Sequence, residues 1–118
     1  MLAQRCCDEI GLARRAGLAV AGFEKVSDAI RAGKVSLLLA ALDGSAGGRG
    51  KLRALAPHIP LAAVLTAAEM GTVFGRDNAI NVGFGAGRLC RRLIADAEKL
   101  AGFRPGAFVD RGREIAAA

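Results

Sequence analysis

Hydrophobic residues recur along the chain in two alternating patterns. In five stretches they fall three or four positions apart, as on one face of an amphipathic helix, and four short stretches are almost continuously apolar, as in buried strands. The predicted helices cover residues 3–15, 23–33, 46–56, 66–74 and 89–102, and the predicted strands cover residues 18–21, 35–42, 61–65 and 79–82. Helices and strands therefore alternate through most of the sequence.

Residues that favour caps and turns separate these stretches. Gly17 and Gly33 follow the first two helical patterns, and Pro57 follows the third. Thr66, with Glu69 three residues later, is the signature of a capping box at the start of the fourth helix. The segment from Gly83 to Gly87 is predicted to be a glycine-rich turn before the last helix.

The alternation predicts an α/β fold: a three-layer α/β/α sandwich with a central mixed sheet of about four strands and helices on both faces. We expect this domain to cover residues 1–102. Residues 103–118 contain Arg, Pro and Gly followed by a closing Ala run, with little to bury. They are therefore predicted to form a flexible tail.

The residue inventory narrows the classes of function. With 118 residues, 53% of them hydrophobic, the chain can bury the core of one domain, and no apolar run reaches the roughly 18 residues of a membrane span. Cys6, Cys7 and Cys90 fit neither a zinc motif nor a disulfide framework, and the single histidine, His58, lies in a loop between two prolines. We expect a cytoplasmic, non-membrane protein that is not an enzyme and holds no metal or cofactor.

Charge points to a polyanionic partner. Lys and Arg number 17 against 11 acidic residues, which gives a formal net charge of +6 and a sequence pI near 10. The chain has no Trp or Tyr and only five Phe, a poor platform for stacking single-stranded bases. Any contact with nucleic acid would therefore depend on phosphate charge, backbone groups and shape.

Two longer segments resemble a known family. They are "GLARRAGLAVAGFEKVSDAIRAGKVSLLLAALD" and "LTAAEMGTVFGRDNAINVG", and the similarity extends over residues 8–100. They are similar to the kink-turn RNA-binding ribosomal proteins that include the archaeal L-seven-Ae, the eukaryotic L-thirty-e and small bacterial homologues. The resemblance implies non-catalytic binding of structured RNA, in the setting of the ribosome or the transcription machinery.

The resemblance also implies where RNA binds. In the family, the junction of the first strand and second helix meets the RNA backbone, and the loop before the last strand packs on a flipped-out base. The implied contact residues are Gly22, Phe23, Glu24, Lys25 and Asp28 at the junction, Gly75, Arg76 and Asn78 in the loop, and Arg14, Arg15 and Lys34 as additional cations. The family has Asn, Glu and Lys where this chain has Glu24, Lys25 and Asp28, so we expect an altered RNA target.

Other interpretations stay open. The same scaffold would serve a protein-interaction domain whose RNA surface has decayed, with the Arg88–Arg92 helix or the Ala-rich faces contacting the partner. A nucleotide site at Gly83–Gly87 is a weaker alternative, since the glycine spacing differs from the dinucleotide fingerprint. In some bacterial relatives a domain of this kind follows a short basic domain. The resemblance therefore leaves open that this chain is part of a longer product with a linked upstream basic domain.

Overall fold

Five helices alternate with five strands along residues 1–112, which are the residues that this computed structural model describes. The helices are α1 (Leu2–Arg15), α2 (Phe23–Arg31), α3 (Ala46–Leu55), α4 (Ala67–Val73) and α5 (Arg88–Ala101). The strands are β1 (Ala19–Ala21), β2 (Leu37–Ala40), β3 (Leu61–Ala63), β4 (Asn81–Phe84) and β5 (Phe108–Asp110). All nine predicted elements are present, and their ends differ from the predicted ends by a few residues.

The strands form one mixed sheet in the order β1-β4-β2-β3-β5. β2 and β3 pair in parallel, whereas the pairs β1–β4, β4–β2 and β3–β5 are antiparallel. β2 is central and apolar on both sides, as expected for a strand covered by helices. The predicted mixed sheet is confirmed, with five strands rather than about four.

Side chains of β2 alternate between two hydrophobic cores. Leu37 and Leu39 face the core formed with α1, α4 and α5, whereas Leu38 and Ala40 face the core formed with α2 and α3. Burying one such leucine stabilises a fold by about 1.5–3 kcal/mol. The observed architecture is therefore the predicted three-layer α/β/α sandwich, with three helices on one face and two on the other.

The prediction of a flexible tail from residue 103 is wrong for the part that the structure describes. β5 pairs with β3, with Val109 opposite Ala62. Arg104 donates to the carbonyl oxygen of Val64 at 3.0 Å and forms an ion pair with Glu69. A three-residue strand held by long-range contacts has no local periodicity, and so the sequence did not reveal it. Residues 113–118 of the predicted tail lie outside the described residues.

The predicted glycine turn at residues 83–87 is shorter than expected. Gly83 lies within β4, where an added Cβ would be 3.3 Å from Cγ2 of Val35 and 3.5 Å from Cγ1 of Val26. Glycine is required there because α2 and the chain after it pack closely over the strand. The turn is thus confined to residues 85–87, and Gly87 is the N-cap of α5.

Candidate nucleic-acid interface

α2 begins directly after β1, and a single glycine separates the two elements. Gly22 has φ of +103°, a backbone conformation that residues with a side chain rarely adopt. As the N-cap, Gly22 provides no side-chain acceptor for the first amides of α2. The side chains of Phe23, Glu24 and Lys25 in this first turn are all exposed. The start of α2 is therefore an accessible set of N–H donors.

The loop between α4 and β4 lies beside this helix start. A Cβ added to Gly22 would be 3.8 Å from Nη1 of Arg76, so the guanidinium of Arg76 reaches the β1–α2 junction. The N–H of Gly22 donates to the carbonyl oxygen of Asn81, the first residue of β4, at 3.0 Å. The structure therefore brings together the two segments that the sequence singled out.

Backbone contacts with α4 fix the position of this loop. The N–H of Arg76 donates to the Gly71 carbonyl at 2.9 Å, and the N–H of Ala79 donates to the Ala67 carbonyl at 2.9 Å. Gly71 is buried, and a Cβ there would be 2.8 Å from backbone atoms of Arg76 and Asn78. The absence of a side chain at Gly71 allows the loop, which includes Gly75 at φ +67°, to fold back against α4.

Arg14 binds the C-terminal end of α4, whereas Arg15 makes no comparable contact. Nη1 of Arg14 donates to the Val73 carbonyl at 2.9 Å, and its guanidinium carbon lies 5.5 Å from the centroid of the Phe74 ring. Arg15 is exposed and lines a groove of about 740 Å³ between α1 and α4. Arg14 therefore lies next to the 75–78 loop, but its charge is already used within the protein.

Two exposed apolar side chains complete the surface, and an unsatisfied acceptor is buried beneath it. Phe23 is 42% exposed and Ile80 is 53% exposed. Oδ1 of Asn81 is buried and finds no hydrogen-bond donor among residues 1–112. No role was predicted for Ile80 or Asn81 from the sequence, although an asparagine inside the apolar run "AINVG" is a visible anomaly. Donor, cationic and apolar groups therefore surround one short stretch of surface.

The carboxylates near α2 differ in their surroundings. Asp28 forms an ion pair with Arg31 at 2.5 Å on the exposed side of α2. Glu24 is exposed in the first turn of α2, and no cationic group among the described residues lies within 4.0 Å of its carboxylate. Glu24 therefore remains the uncompensated negative charge at the helix start.

Lys34 is not part of this surface. Its carbonyl oxygen would be 3.3 Å from a Cβ on Gly85, just beyond the end of β4, and it follows the far end of α2. Gly22 instead contacts Asn81 at the start of β4. Asn81 and Gly85 are four residues apart along the extended chain, so their backbones are separated by about 13 Å. The structure thus separates Lys34 from the other predicted contact residues.

A network of hydrogen bonds anchors the start of α4. Thr66 and Glu69 form the predicted capping box, which is confirmed, and Arg104 donates to both carboxylate oxygens of Glu69 at 2.6 and 2.8 Å. Arg104, and to a smaller extent Thr66, lower the pKa of Glu69 from 4.5 to about 2. This network fixes the helix from which the 75–78 loop folds back.

The three thiols have the properties of structural cysteines. Burial, followed by the nearby carboxylates Glu9 and Asp96, raises the pKa of Cys6 to about 12. Burial also raises the pKa values of Cys7 and Cys90. Thiols of this kind stay protonated and are poor nucleophiles.

Residues 1–112 contain no group of three His, Cys, Asp or Glu side chains that could hold a metal ion. None of the helices formed by these residues is long and apolar enough to cross a membrane.

Two solved structures share this fold. A protein of unknown function from Bacillus halodurans aligns with a TM-score of 0.72 and 25% identity, covering 79% of this chain and 96% of its own. The 15.5 kD RNA binding protein of Giardia lamblia aligns with a TM-score of 0.63 and 13% identity, covering 87% of this chain and 90% of its own. The sequence matches no protein-family model and no curated protein.

Proposed function

We propose that this protein binds folded RNA, without catalysis, through the surface formed by the β1–α2 junction and residues 75–81. The observation that carries the proposal is the position of Arg76, whose Nη1 would lie 3.8 Å from a Cβ added at Gly22 and is therefore close to the uncapped amides of α2. A helix N-terminus favours anions, because its N–H groups have no partner and its dipole is positive there. The fold shared with the RNA binding protein of Giardia lamblia supports the proposal.

The groups around the helix start fit RNA better than a small anion. Phosphate oxygens would accept from the amides and from Arg76, while Lys25 adds a second cation in the first turn. Phe23 and Ile80 provide exposed apolar surface on which an unstacked base can lie.

The charge distribution favours a bent or looped RNA over a regular duplex. Glu24 lies at the amides that receive the phosphate, so only part of the first turn of α2 is electropositive. Exposed bases are available in internal loops and bends, whereas the deep groove of a regular RNA helix is closed to side chains. We infer a target with an internal loop, read differently from the family pattern because Glu24, Lys25 and Asp28 depart from it.

Binding measurements with single variants test this proposal. The probe is a short RNA stem with an asymmetric internal loop, compared with the same stem fully paired, across a salt titration. We expect Arg76→Ala and Lys25→Ala each to weaken binding to the looped stem and to reduce its salt slope by about 1. Lys51→Ala, at an exposed position on α3, is the control and is expected to change little.

The two carboxylates of α2 provide a second, opposite test. Glu24→Gln removes the uncompensated charge at the amides, and we expect it to strengthen binding to the looped stem. Asp28→Asn is expected to have little effect, since Arg31 already neutralises Asp28.

Equal affinity of the wild type and the Arg76→Ala and Lys25→Ala variants would refute the site. Recovery of a stable protein partner and no RNA after crosslinking in cells would favour the protein-interaction alternative.

A further inference from the structure

Most arginines of this protein are engaged in its own structure. Eight of the twelve arginines within residues 1–112 pair with a carboxylate or donate to a backbone carbonyl. The side chains of the other four form no hydrogen bond or ion pair with any described residue, and they are Arg15, Arg76, Arg88 and Arg91. One of the four, Arg76, lies in the proposed RNA site. The remaining positions show where else the net charge is available to a partner.

Two of these arginines lie in the first turn of α5. Arg88 and Arg91 are three residues apart, so they lie on the same side of the helix with Cβ atoms about 5–6 Å apart. Both are exposed, and the first turn of α5 contains no acidic residue. The nearest exposed carboxylate along α5, Glu98, is paired with Arg111. Cations at the positive end of a helix repel its dipole, so an anionic partner would relieve this repulsion.

Lys34 lies at the same end of the molecule. Its backbone contacts the position of Gly85, two residues before the N-cap of α5, and it lines a small cavity of about 280 Å³ together with Ala86. We call Lys34, Arg88 and Arg91 the distal basic surface. It lies beyond the end of β4 opposite to Asn81, and these two ends of the strand are about 13 Å apart along the backbone.

We propose that the distal basic surface is a second contact for RNA backbone, separate from the site at Gly22 and Arg76. The inference deepens the proposed function and rests on it. Charge complementarity favours a phosphate backbone, because the three cations have no acidic partner within the described residues. The distal basic surface includes no aromatic residue on which a base could stack. Phosphate contacts of this kind position an RNA without reading its bases.

The two sites together imply a division of roles. The looped part of the RNA meets the β1–α2 junction, where apolar and hydrogen-bonding groups can read exposed bases. A flanking stem, or a second segment of the same folded RNA, supplies phosphates to the distal basic surface. Two contacts on one rigid domain raise the overall affinity when the RNA can reach both at once. The distal contact should therefore strengthen binding to any duplex-containing probe, with or without the loop.

The experiment compares two double variants on the same two probes, the looped stem and the fully paired stem. Arg88→Gln with Arg91→Gln removes the unpaired cations and leaves the Arg92–Glu9 ion pair intact. Lys51→Gln with Lys99→Gln removes the same net charge from exposed positions elsewhere. We expect the first double variant to make the salt slope shallower by about 2 on both probes, which is about a fifteenfold larger loss at 50 mM than at 200 mM salt.

The possible outcomes separate this proposal from the proposed function. If the two double variants have the same salt slope on both probes, or if the wild type does not bind the paired stem, the distal contact is refuted. In that case a preference of the wild type for the looped stem, abolished by Arg76→Ala, would leave the proposed function intact. Conversely, the arginine double variant could lose binding to the paired stem while the lysine double variant does not, and the wild type could show no preference for the looped stem. That result would retain the distal basic surface as a general phosphate contact and refute the loop site.

Discussion

The ion pair between Glu69 and Arg104 should make a large, pH-dependent contribution to stability. A pKa that falls from 4.5 in the unfolded chain to about 2 in the folded protein corresponds to about 3 kcal/mol of stabilisation at neutral pH. Because the folded pKa is the lower one, this stability is fully present above pH 4.5 and is lost as the pH falls towards 2. At pH 3 about 1 kcal/mol should remain.

Glu69→Gln is the perturbation that isolates this effect. Glutamine keeps the size of the side chain and can still accept from the N–H of Thr66, but it gives up the charge that faces Arg104. We expect the variant to lose about 3 kcal/mol at pH 6 and about 1 kcal/mol at pH 3, relative to the wild type. The assay is urea unfolding followed by circular dichroism at the two pH values.

The control for this measurement is Glu24→Gln, which changes an exposed glutamate in the first turn of another helix. It should alter stability by no more than about 0.5 kcal/mol at either pH. If the Glu69→Gln difference is the same at pH 6 and pH 3, the charge on Glu69 does not stabilise the fold. The ion pair with Arg104 would then be structurally present but energetically neutral.

Two further predictions test other buried positions. Burial between α1 and α5, and then the neighbouring Asp96 carboxylate, raise the pKa of Glu9 from 4.5 to about 7. Stability should therefore fall as the pH rises from about 4.5 to 7, and thermal unfolding at pH 5 and pH 8 should show this fall in the wild type but not in Glu9→Gln. Gly71→Ala places a Cβ 2.8 Å from the backbone of Arg76 and Asn78, so we expect a loss of about 1–3 kcal/mol in urea. Its largest amide chemical-shift changes should lie at residues 75–78, and changes spread evenly over the chain would contradict this explanation.

The elements with a strong local signal were predictable from the sequence. The capping box at Thr66 and Glu69 is local, because both partners lie within four residues and each satisfies a backbone donor of the same helix turn. The all-apolar β2 likewise indicated a strand covered on both faces. In both cases the information lies within a window no longer than the element itself.

Contacts between residues distant in sequence were not predictable in this way. Arg104 joins Glu69 across 35 positions, and nothing in the composition of residues 103–118 indicates that this arginine has a buried partner. The same limit applies to Gly83, whose tight packing against Val26 and Val35 makes it a strand residue rather than part of a turn. Such positions depend on which surfaces meet, and a single sequence does not record that.

The candidate site also combines features that were predictable from the sequence with features that were not, and its charge is an example. A charge of +6 alone gives no location, because most of the arginines are used to bind backbone carbonyls and carboxylates of the protein itself. Among the cations that remain, Lys25 and Arg76 lie near the start of β4, and Lys34, Arg88 and Arg91 lie near its end. Arg15, Lys51 and Lys99 are exposed at other places on the surface. If both groups bind one partner, as we propose, its phosphates must span about 13 Å, the length of β4 and the residue after it. An extended polyanion such as RNA meets that requirement of the proposal, whereas a mononucleotide does not.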